Sequence, residues 1–243
     1  MPAPTTNPTT TSPPSARTPL AHWHAQHGAR FDELNSWQVP VAFSTEDAET
    51  NAARTGLAIA DISFVAKTML RGPSVSEFGA TLTGSSQTTT SGRVIPLKAD
   101  PSVLICHLQS DQLLLLAGPS SKIRLDQLLS KAGKTPSVIQ IEVTSSFAAF
   151  WLFGPHVNDA LRRVTHHDVD AMPPGSCAAT GLAKVPAILV RPPTAAIPSM
   201  RILVGWDVAE YVWEELFRAG QPWSITPLGM DALEALANNQ KSR

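Results

Sequence analysis

The stretch from Thr18 to Pro73 decides the fold, and its landmarks in chain order are Thr18-Pro19-Leu20, Gly28-Ala29-Arg30, Trp37-Gln38-Val39-Pro40, Arg54-Thr55-Gly56-Leu57, Asp61-Ile62-Ser63 and Arg71-Gly72-Pro73. The pattern predicts a capped helix, an ordered loop, a second short helix and then a pair of strands that ends in a turn. Thr18 is a favoured N-cap residue, and a proline after it suits the first helical position. Thr45 is predicted to cap the second helix, and Gly56 to end it in a left-handed conformation.

The rest of the chain alternates strand-forming runs with short amphipathic helices. Residues 109–111 separate two apolar runs and predict a hairpin turn. Residues 178–190 are typical of two strands broken at Pro186. Asp207 and Glu210 have capping-box spacing and predict the start of the last long helix. Strand pairs followed by helices, without strict alternation, predict an α+β domain with antiparallel sheet.

Composition excludes several classes of protein. The chain has 243 residues and a formal net charge of −1, which gives no electrostatic reason to expect a nucleic-acid or membrane partner. No apolar run approaches the roughly 20 residues needed to span a bilayer. Cys106 and Cys177 lie far apart in the sequence and indicate reduced, mostly buried thiols rather than a disulfide framework. We therefore expect a cytoplasmic protein.

The composition divides the chain into two parts. Residues 1–17 are rich in proline, threonine and serine, so they cannot bury enough apolar surface to order themselves, and we expect a mobile tail. The tail lacks the apolar centre of a signal peptide and the repeated arginines of a transit peptide. Residues 18–243 are interpreted as one folded domain.

The landmarks quoted above resemble the opening of the aminomethyltransferase family, the glycine-cleavage T-protein, which runs T-P-L, G-A-R, G-W-x-M-P, V-R-T, F-D-V-S-H and R-G. Residues 173–184 and 209–213 resemble the gamma subunit of heterotetrameric sarcosine oxidase, a short relative of the same family. Residues 227–236 resemble the T-protein segment P-x-G-L-G-A-R-D-T-L-R. The resemblance implies a T-protein-like folate-binding domain, a duplicated mixed or antiparallel sheet with packed helices. The chain is expected to lack the family's C-terminal barrel.

The resemblance also implies a tetrahydrofolate site, whose chemistry needs particular side chains. A buried carboxylate must pair with the N–H groups of the pterin ring. A second carboxylate must manage charge and protons near the nitrogen that carries the transferred carbon. Aromatic faces and an arginine suit the ring and the glutamate tail of the folate.

Most of the family's functional side chains are replaced in this chain. The paired aspartates of its G-G-V-I-D-D-L-I segment correspond to Ser102 and Val103, and its upstream tyrosine corresponds to Pro96. The segment that carries the pterin-binding glutamate corresponds to residues 191–198, which contain no carboxylate. Its histidine and its two terminal arginines fall on three residues that cannot replace them, namely Phe64, Leu233 and Ala237.

A few polar residues remain as candidates. Asp100 lies near the missing aspartates and is a weak candidate for a displaced catalytic base, although a turn aspartate is the simpler interpretation. Arg30, Arg54 and Arg191 are candidates for binding an anion or a folate tail, but arginines also bind loop carbonyls. Asp61 is a further cofactor-binding candidate, whose simpler role is to accept hydrogen bonds at a strand corner.

Other constellations are weaker. Histidines occur at positions 22, 24 and 27, where no carboxylate or cysteine has ligand spacing, and residues 166–170 carry metal-friendly side chains in a loop. Solvated or capping histidines are the simpler interpretation of both groups. No metal is predicted. Cys106 and His107 are neighbours in a strand, so their side chains point to opposite faces and cannot form a dyad.

Two function hypotheses remain from the sequence. The first is a catalytically degenerate folate-binding-domain protein that acts as an accessory or subunit protein of one-carbon or amine metabolism. It would form a hetero-oligomer with oxidase or one-carbon enzyme subunits, with tetrahydrofolate as a doubtful ligand. The second is an active tetrahydrofolate-dependent aminomethyltransferase-type transferase that rebuilt its site from Asp100, Asp61 and Arg191.

Overall fold

The computed structural model describes residues 15–84, 90–131 and 137–241. Its helices are α1 (Ala21–Gln26), α2 (Glu46–Thr55), α3 (Val75–Thr83), α4 (Lys122–Lys131), α5 (Val157–Leu161), α6 (Ala209–Gly220) and α7 (Met230–Lys241). Its strands are β1 (Ala16–Arg17), β2 (Arg30–Leu34), β3 (Trp37–Ala42), β4 (Ala58–Asp61), β5 (Ala66–Arg71), β6 (Val94–Leu97), β7 (Asp100–Gln109), β8 (Gln112–Ala117), β9 (Ile139–Glu142), β10 (Phe147–Phe153), β11 (Ser176–Leu182), β12 (Val185–Arg191), β13 (Ser199–Gly205) and β14 (Thr226–Leu228).

The strands form three sheets. A six-stranded sheet has the order β11-β12-β13-β10-β4-β14, a five-stranded sheet the order β6-β7-β8-β5-β9, and a small sheet the order β1-β3-β2. Within the described residues the pairings are antiparallel, except for β1 with β3 and β14 with β4. The predicted α+β class with antiparallel sheet is therefore confirmed.

The two large sheets pack face to face, with helices on both outer faces. One core cluster lies between the sheets and includes Phe153 and Leu203 of one sheet and Leu104 and Leu114 of the other. A second cluster packs the opposite face of the six-stranded sheet against α1, α5 and α6. A third packs the outer face of the five-stranded sheet against α3 and α4. Alternation of side chains along each strand explains how one strand serves two clusters.

The two strands predicted on either side of Asp61-Ile62-Ser63 are present, but they do not pair with each other. β4 pairs with β10 and β14, whereas β5 pairs with β8 and β9. The corner therefore carries the chain from one large sheet into the other. The local sequence predicts where the corner lies. Which strands pair with β4 and β5 depends on apolar residues that are distant in the sequence.

Three of the predicted helix signals have different outcomes. Thr45 caps α2 as predicted, because its hydroxyl accepts the backbone N–H of Ala48 at 3.3 Å. The cap at Thr18 is wrong, since α1 begins at Ala21 and only the carbonyl of Thr18 accepts a bond from it. Gly56 does end α2, but with φ −133° rather than in the left-handed region.

The later boundaries also differ from the predictions. The predicted capping box is wrong, because a short 3-10 turn over residues 206–208 leads into α6 without a side-chain cap. The β11–β12 break falls at Ala183 and Lys184, whose φ angles are 48° and 66°, and Pro186 lies within β12. Pro186 is tolerated there because β12 pairs with β13 only from Ala187 onwards. The hairpin at residues 109–111 is confirmed by the pairing of β7 with β8.

The chain ends of the described region add two facts. Residues 1–14 of the predicted tail lie outside the described residues, and Ala16 and Arg17 form β1 beside β3. α7 was not predicted as a helix, and it packs against β3 and α2. Of the helices that the structure describes, none combines the length and the hydropathy that crossing a bilayer requires.

Candidate functional site

A cavity of about 390 Å³ opens beside the core between the two large sheets. The five-stranded sheet contributes residues at the ends of β6 and β7, and the six-stranded sheet contributes residues of β10 and β13. The segment that follows β12 and one face of α7 complete the wall. The lining residues are Pro96, Pro101, Ser102, Leu104, Trp151, Phe153, Pro192, Pro193, Thr194, Ala195, Ile197, Ser199, Arg201, Leu233, Leu236 and Ala237.

Strand register decides which side chains of the six-stranded sheet enter this cavity. Trp151 of β10 lies directly opposite Arg201 of β13, and Phe153 lies opposite Ser199. Directly paired residues of antiparallel strands project from the same face of a sheet. Because the intervening residues of both strands belong to the other core cluster, these four side chains share the inner face.

Arg201 is the only charged residue among the described residues that line the cavity. Its guanidinium lies over the ring of Trp151, 4.1 Å from the ring centroid, a distance suited to a cation–π contact. Its Nε is buried without a hydrogen-bond partner, and none of the ion pairs among the described residues involves it. Burial lowers the pKa of Arg201 to about 10, which leaves the guanidinium charged at neutral pH.

Two further polar groups of the lining are also buried without partners. The hydroxyl of Ser199 and the indole N–H of Trp151 find no hydrogen-bond partner within the described part of the chain. Ser199 is only 3% exposed. Buried polar groups are nearly always hydrogen-bonded in native proteins, so three unpartnered groups around one cavity require an explanation.

No aspartate or glutamate occurs among the described residues that line the cavity. Asp100, the candidate base, lies beside the cavity and is engaged elsewhere. Its Oδ1 accepts the hydroxyl of Ser102 at 2.6 Å and the backbone N–H of Ser102 at 3.1 Å. Hydrogen bonds from Ser102 and then Ser121 lower the pKa of Asp100, so it is a stable carboxylate at a turn.

The positions that the resemblance assigns to the family's functional residues converge on this cavity. Pro96, Ser102, Leu233 and Ala237 line it, together with five residues of the 191–198 segment. These positions are scattered over more than half of the sequence, and only the fold brings them together. The cavity is therefore the place where the resemblance puts a folate, although its polar chemistry is different.

The arginine candidates lie elsewhere. Arg30 is exposed and its Nη2 lies 2.5 Å from Asp231 Oδ2, so it joins β2 to α7. Arg54 is exposed on α2. Arg191 donates from Nη2 to Asn158 Oδ1 at 2.7 Å and to the carbonyl of Val169 at 3.0 Å. None of the three belongs to the residues that line the cavity.

Asp61 lies in a buried hydrogen-bond network at the corner between the sheets. Its Oδ2 is 2.9 Å from His24 Nε2, and its Oδ1 accepts both the hydroxyl and the backbone N–H of Ser63. The hydroxyl of Ser63 in turn accepts the N–H of Ala149. Burial opposes ionisation of Asp61, but these hydrogen bonds and the charge of His24 hold its pKa below the usual value. The aspartate, not the histidine, is the central group, so this is not a catalytic triad.

Lys67 completes the network and was not predicted from the sequence. It is fully buried, and its Nζ donates to the carbonyls of Ser63 at 2.8 Å and Val65 at 2.9 Å. Burial lowers the pKa of Lys67 to about 7, although the charges of Asp61 and Glu142 act in the opposite direction. The available signal was a charged residue in the apolar strand Ala66–Arg71, and Arg201 gave the same signal in β13.

The histidine and cysteine clusters hold no site among the described residues. No group of three histidine, cysteine or carboxylate side chains has metal-binding geometry there. Asp168 accepts backbone N–H groups of Asp170 and Ala171, and Asp170 bonds to Arg162. Cys106 and Cys177 are both buried free thiols.

The lining residues do not fit a pterin ring bound as the resemblance implies. A pterin presents N–H donors to a buried carboxylate, whereas the described lining residues include no carboxylate. A buried N–H donor left without an acceptor costs about 1–3 kcal/mol.

The family is defined by comparison with known proteins. Residues 20–241 match the family described as GCVT N-terminal domain, and the chain belongs to that family. Aminomethyltransferases of Bacillus pumilus and Geobacillus thermodenitrificans are 24% and 27% identical to it over 230 and 229 residues. Each alignment covers 90% of this chain but 63% and 62% of the relative, so the chain spans about three-fifths of their length.

Solved structures show the same fold. Aminomethyltransferase T of the glycine cleavage system from Bartonella henselae superposes with a TM-score of 0.74 at 16% identity, over 90% of this chain and 61% of that one. A chain of the heterotetrameric sarcosine oxidase from Corynebacterium sp. U-96, solved in complex with pyrrole 2-carboxylate, superposes with a TM-score of 0.62 at 21% identity. That alignment covers 86% of this chain and 97% of the other. The fold is therefore that of the T-protein folate-binding domain.

Proposed function

We propose that this chain is a folate-binding-domain protein that does not catalyse one-carbon transfer by itself. It serves as an accessory or subunit protein in one-carbon or amine metabolism. The proposal depends on one observation. The cavity to which the replaced family positions converge has no carboxylate among its described lining residues.

Transfer of one carbon from folate needs an acid–base group within hydrogen-bond reach of the reacting nitrogen. The nearest candidate, Asp100, already accepts two hydrogen bonds from Ser102. Asp61 is buried and is already bonded to His24 and Ser63, and Arg191 bonds to Asn158 and Val169. Because the three residues of the rival transferase hypothesis have separate partners, they do not form one reactive group.

The subunit role is supported by the fold. The superposition covers 97% of a chain of the heterotetrameric sarcosine oxidase. A domain with this fold thus has a precedent within a larger oxidase. Partners would be subunits of an amine oxidase or of another one-carbon enzyme.

Calorimetric titration with tetrahydrofolate and an assay of methylene and methyl transfer test the proposal. We expect no transfer by the purified chain and no micromolar affinity for tetrahydrofolate. Asp100→Asn is compared with Asp126→Asn, which alters an exposed carboxylate paired with Lys122. Transfer activity that Asp100→Asn abolishes and Asp126→Asn preserves would establish the rival transferase.

Purification of the native complex tests the subunit role. We expect the chain to co-purify in a fixed ratio with an amine-oxidase or one-carbon-enzyme subunit. A chain that purifies alone from its native source at physiological salt would contradict that role.

A further inference from the structure

One cation and two other side chains with unpartnered donors line the cavity. Arg201 and Trp151 stack on one another, and Ser199 lies two residues before Arg201 on the same face of β13. Nε of Arg201, Nε1 of Trp151 and Oγ of Ser199 are all buried without partners. The three groups come from two neighbouring strands, so backbone register fixes their relative positions.

Elsewhere the fold satisfies its buried charges. Glu49 accepts the backbone N–H groups of Phe43, Ser44 and Gly229, each at 2.7 Å. Lys67 donates to two carbonyls within 2.9 Å. Of the nine unpartnered buried polar atoms in the described residues, three belong to side chains that line this cavity, and the other six lie elsewhere. Arg201 differs from the other buried cations, since Lys67 and Arg191 have hydrogen-bond partners.

The missing partner must accept hydrogen bonds and carry negative charge. A guanidinium with a free edge binds a carboxylate through two parallel N–H···O bonds, a geometry that an ammonium cannot offer. A doubly charged phosphate is disfavoured, because Arg201 is the only cation among the described lining residues.

The other residues of the cavity wall indicate which kind of uncharged group the ligand carries besides its carboxylate. Phe153, Leu104 and Leu236 are apolar, and the segment from Pro192 to Ile197 is rich in proline. A volume of about 390 Å³ is at the lower end of the range for small-molecule pockets, which is roughly 300–1,000 Å³. A compact aromatic or branched apolar group suits these walls better than a sugar or a second charge.

We propose that this cavity binds a small organic monocarboxylate, with its carboxylate held by Arg201, Ser199 and Trp151 and its apolar body against Phe153 and the leucines. The inference deepens the proposed function, on which it rests for the absence of acids from the same cavity. Under this proposal, a cavity lined by a cation takes the place of the acid-lined pterin site that the resemblance implies. Such a cavity favours an anionic ligand over a ring that presents N–H donors.

Isothermal titration of the full chain with benzoate and naphthoate, and with the uncharged amides of both, tests the proposal. The carboxylates are expected to bind at least tenfold more tightly than their amides, because a charge-assisted bond to the guanidinium is lost with the charge. Bound carboxylate should also raise the Tm in proportion to the logarithm of its concentration.

Three variants locate the effect. Arg201→Met should weaken carboxylate binding by tenfold or more and leave amide binding within about twofold. The carboxylate affinity of Arg201→Lys should lie between those of Arg201→Met and the unaltered chain, because lysine keeps the charge but lacks the planar guanidinium. Ser199→Ala should weaken carboxylate binding by about fivefold. Arg218→Met, an exposed arginine paired with Glu215 on α6, is the matched control and should change nothing.

Equal affinity for acid and amide, or no binding of either acid at millimolar concentration, would overturn the proposal. Unchanged carboxylate affinity in Arg201→Met would do the same. If that variant does not fold, Arg201→Lys and Ser199→Ala decide the question. Failure of these titrations leaves the proposed function intact, whereas one-carbon transfer activity would refute the proposed function whatever the carboxylates do.

Discussion

Two buried polar regions of this molecule differ in how completely their side chains are hydrogen-bonded. At the corner between the large sheets, Asp61, Ser63 and Lys67 are hydrogen-bonded to their neighbours, and His24 is bonded to Asp61 through Nε2 while its Nδ1 has no partner among the described residues. In the cavity, Arg201 has an aromatic ring beneath it and no hydrogen-bond acceptor among the described residues. Both regions contain a lysine or arginine in an apolar strand, so residue type alone does not distinguish them.

The difference indicates which region is structural and which is functional. A network whose groups are already bonded to one another has little capacity left for a ligand, and it fixes the geometry of the elements that it joins. A cluster of unpartnered donors beside an open cavity can form further hydrogen bonds, and so be stabilised, only when a ligand enters the cavity. Substitutions should therefore harm stability in the first region and binding in the second.

The largest effect on stability is expected from Asp61→Ala. The variant removes the shared acceptor of His24 and Ser63 and leaves the buried Lys67 without its nearest opposite charge. Breaking a buried charged pair costs about 3–5 kcal/mol of unfolding free energy. Urea denaturation monitored by far-UV circular dichroism measures this loss, and Asp61→Asn should lose less. A loss below about 1 kcal/mol in Asp61→Ala would show that the network is not structural.

Lys67 should make stability depend on pH. Its folded pKa of about 7 lies below the usual 10.5, so between these values the unfolded chain binds more protons than the folded chain. Stability contributed by this site is therefore lowest below pH 7 and rises as pH increases towards 10.5.

The matched comparison for this pH dependence is Lys67→Met. Between pH 7 and 9 the unaltered chain should gain about 1–3 kcal/mol relative to the variant, since one pH unit corresponds to about 1.4 kcal/mol per proton. Urea unfolding at both pH values gives the difference directly. Parallel stability curves for the two proteins would contradict the lowered pKa.

Arg201→Met should have a much smaller effect on stability than Asp61→Ala. It removes the cation–π contact with Trp151, which is worth about 0.5–2 kcal/mol, but it also removes an unpartnered buried N–H. The two terms nearly cancel, so the unfolding free energy should change by less than about 1 kcal/mol. A loss as large as that in Asp61→Ala would assign Arg201 to the structural network and weaken the case for a binding site.

The smallest effect is expected from Arg30→Ala. Arg30 and Asp231 form an ion pair in which both side chains are largely exposed. Solvent screening limits such pairs to about 0–1 kcal/mol. Thermal unfolding should therefore show a Tm close to that of the unaltered chain, and a substantial fall would mean that the contact between β2 and α7 is more important than its exposure suggests.

The sequence predicted local features where neighbouring residues decide them. The cap at Thr45 and the hairpin at residues 109–111 depend on a few adjacent side chains, and both are confirmed. The cap at Thr18 and the left-handed Gly56 are wrong, because tertiary contacts override local preference at helix ends. The α7 helix was not predicted, although Ala232, Leu233 and Leu236 have helical spacing and are buried in the structure.

The candidate site divides in the same way. The positions at which family chemistry is replaced were identified from sequence, and the fold brings Pro96, Ser102, Leu233 and Ala237 together at one cavity. Arg201 was not identified, since its function depends on the β10–β13 register that places it opposite Trp151. Arg30, Arg54, Asp61 and Arg191 were singled out as cofactor-binding candidates, and each lies away from the cavity.

The sequence by itself determined the family and the α+β class, because these are properties of residue identity and order. Only the tertiary structure decided that the corner at Asp61 separates two sheets instead of joining a strand pair. It alone showed that Lys67 is saturated and Arg201 is not. The physical reason is that hydrogen-bond satisfaction depends on atoms from distant segments, such as Ser63 and Thr144 around Lys67, whose approach no local pattern records.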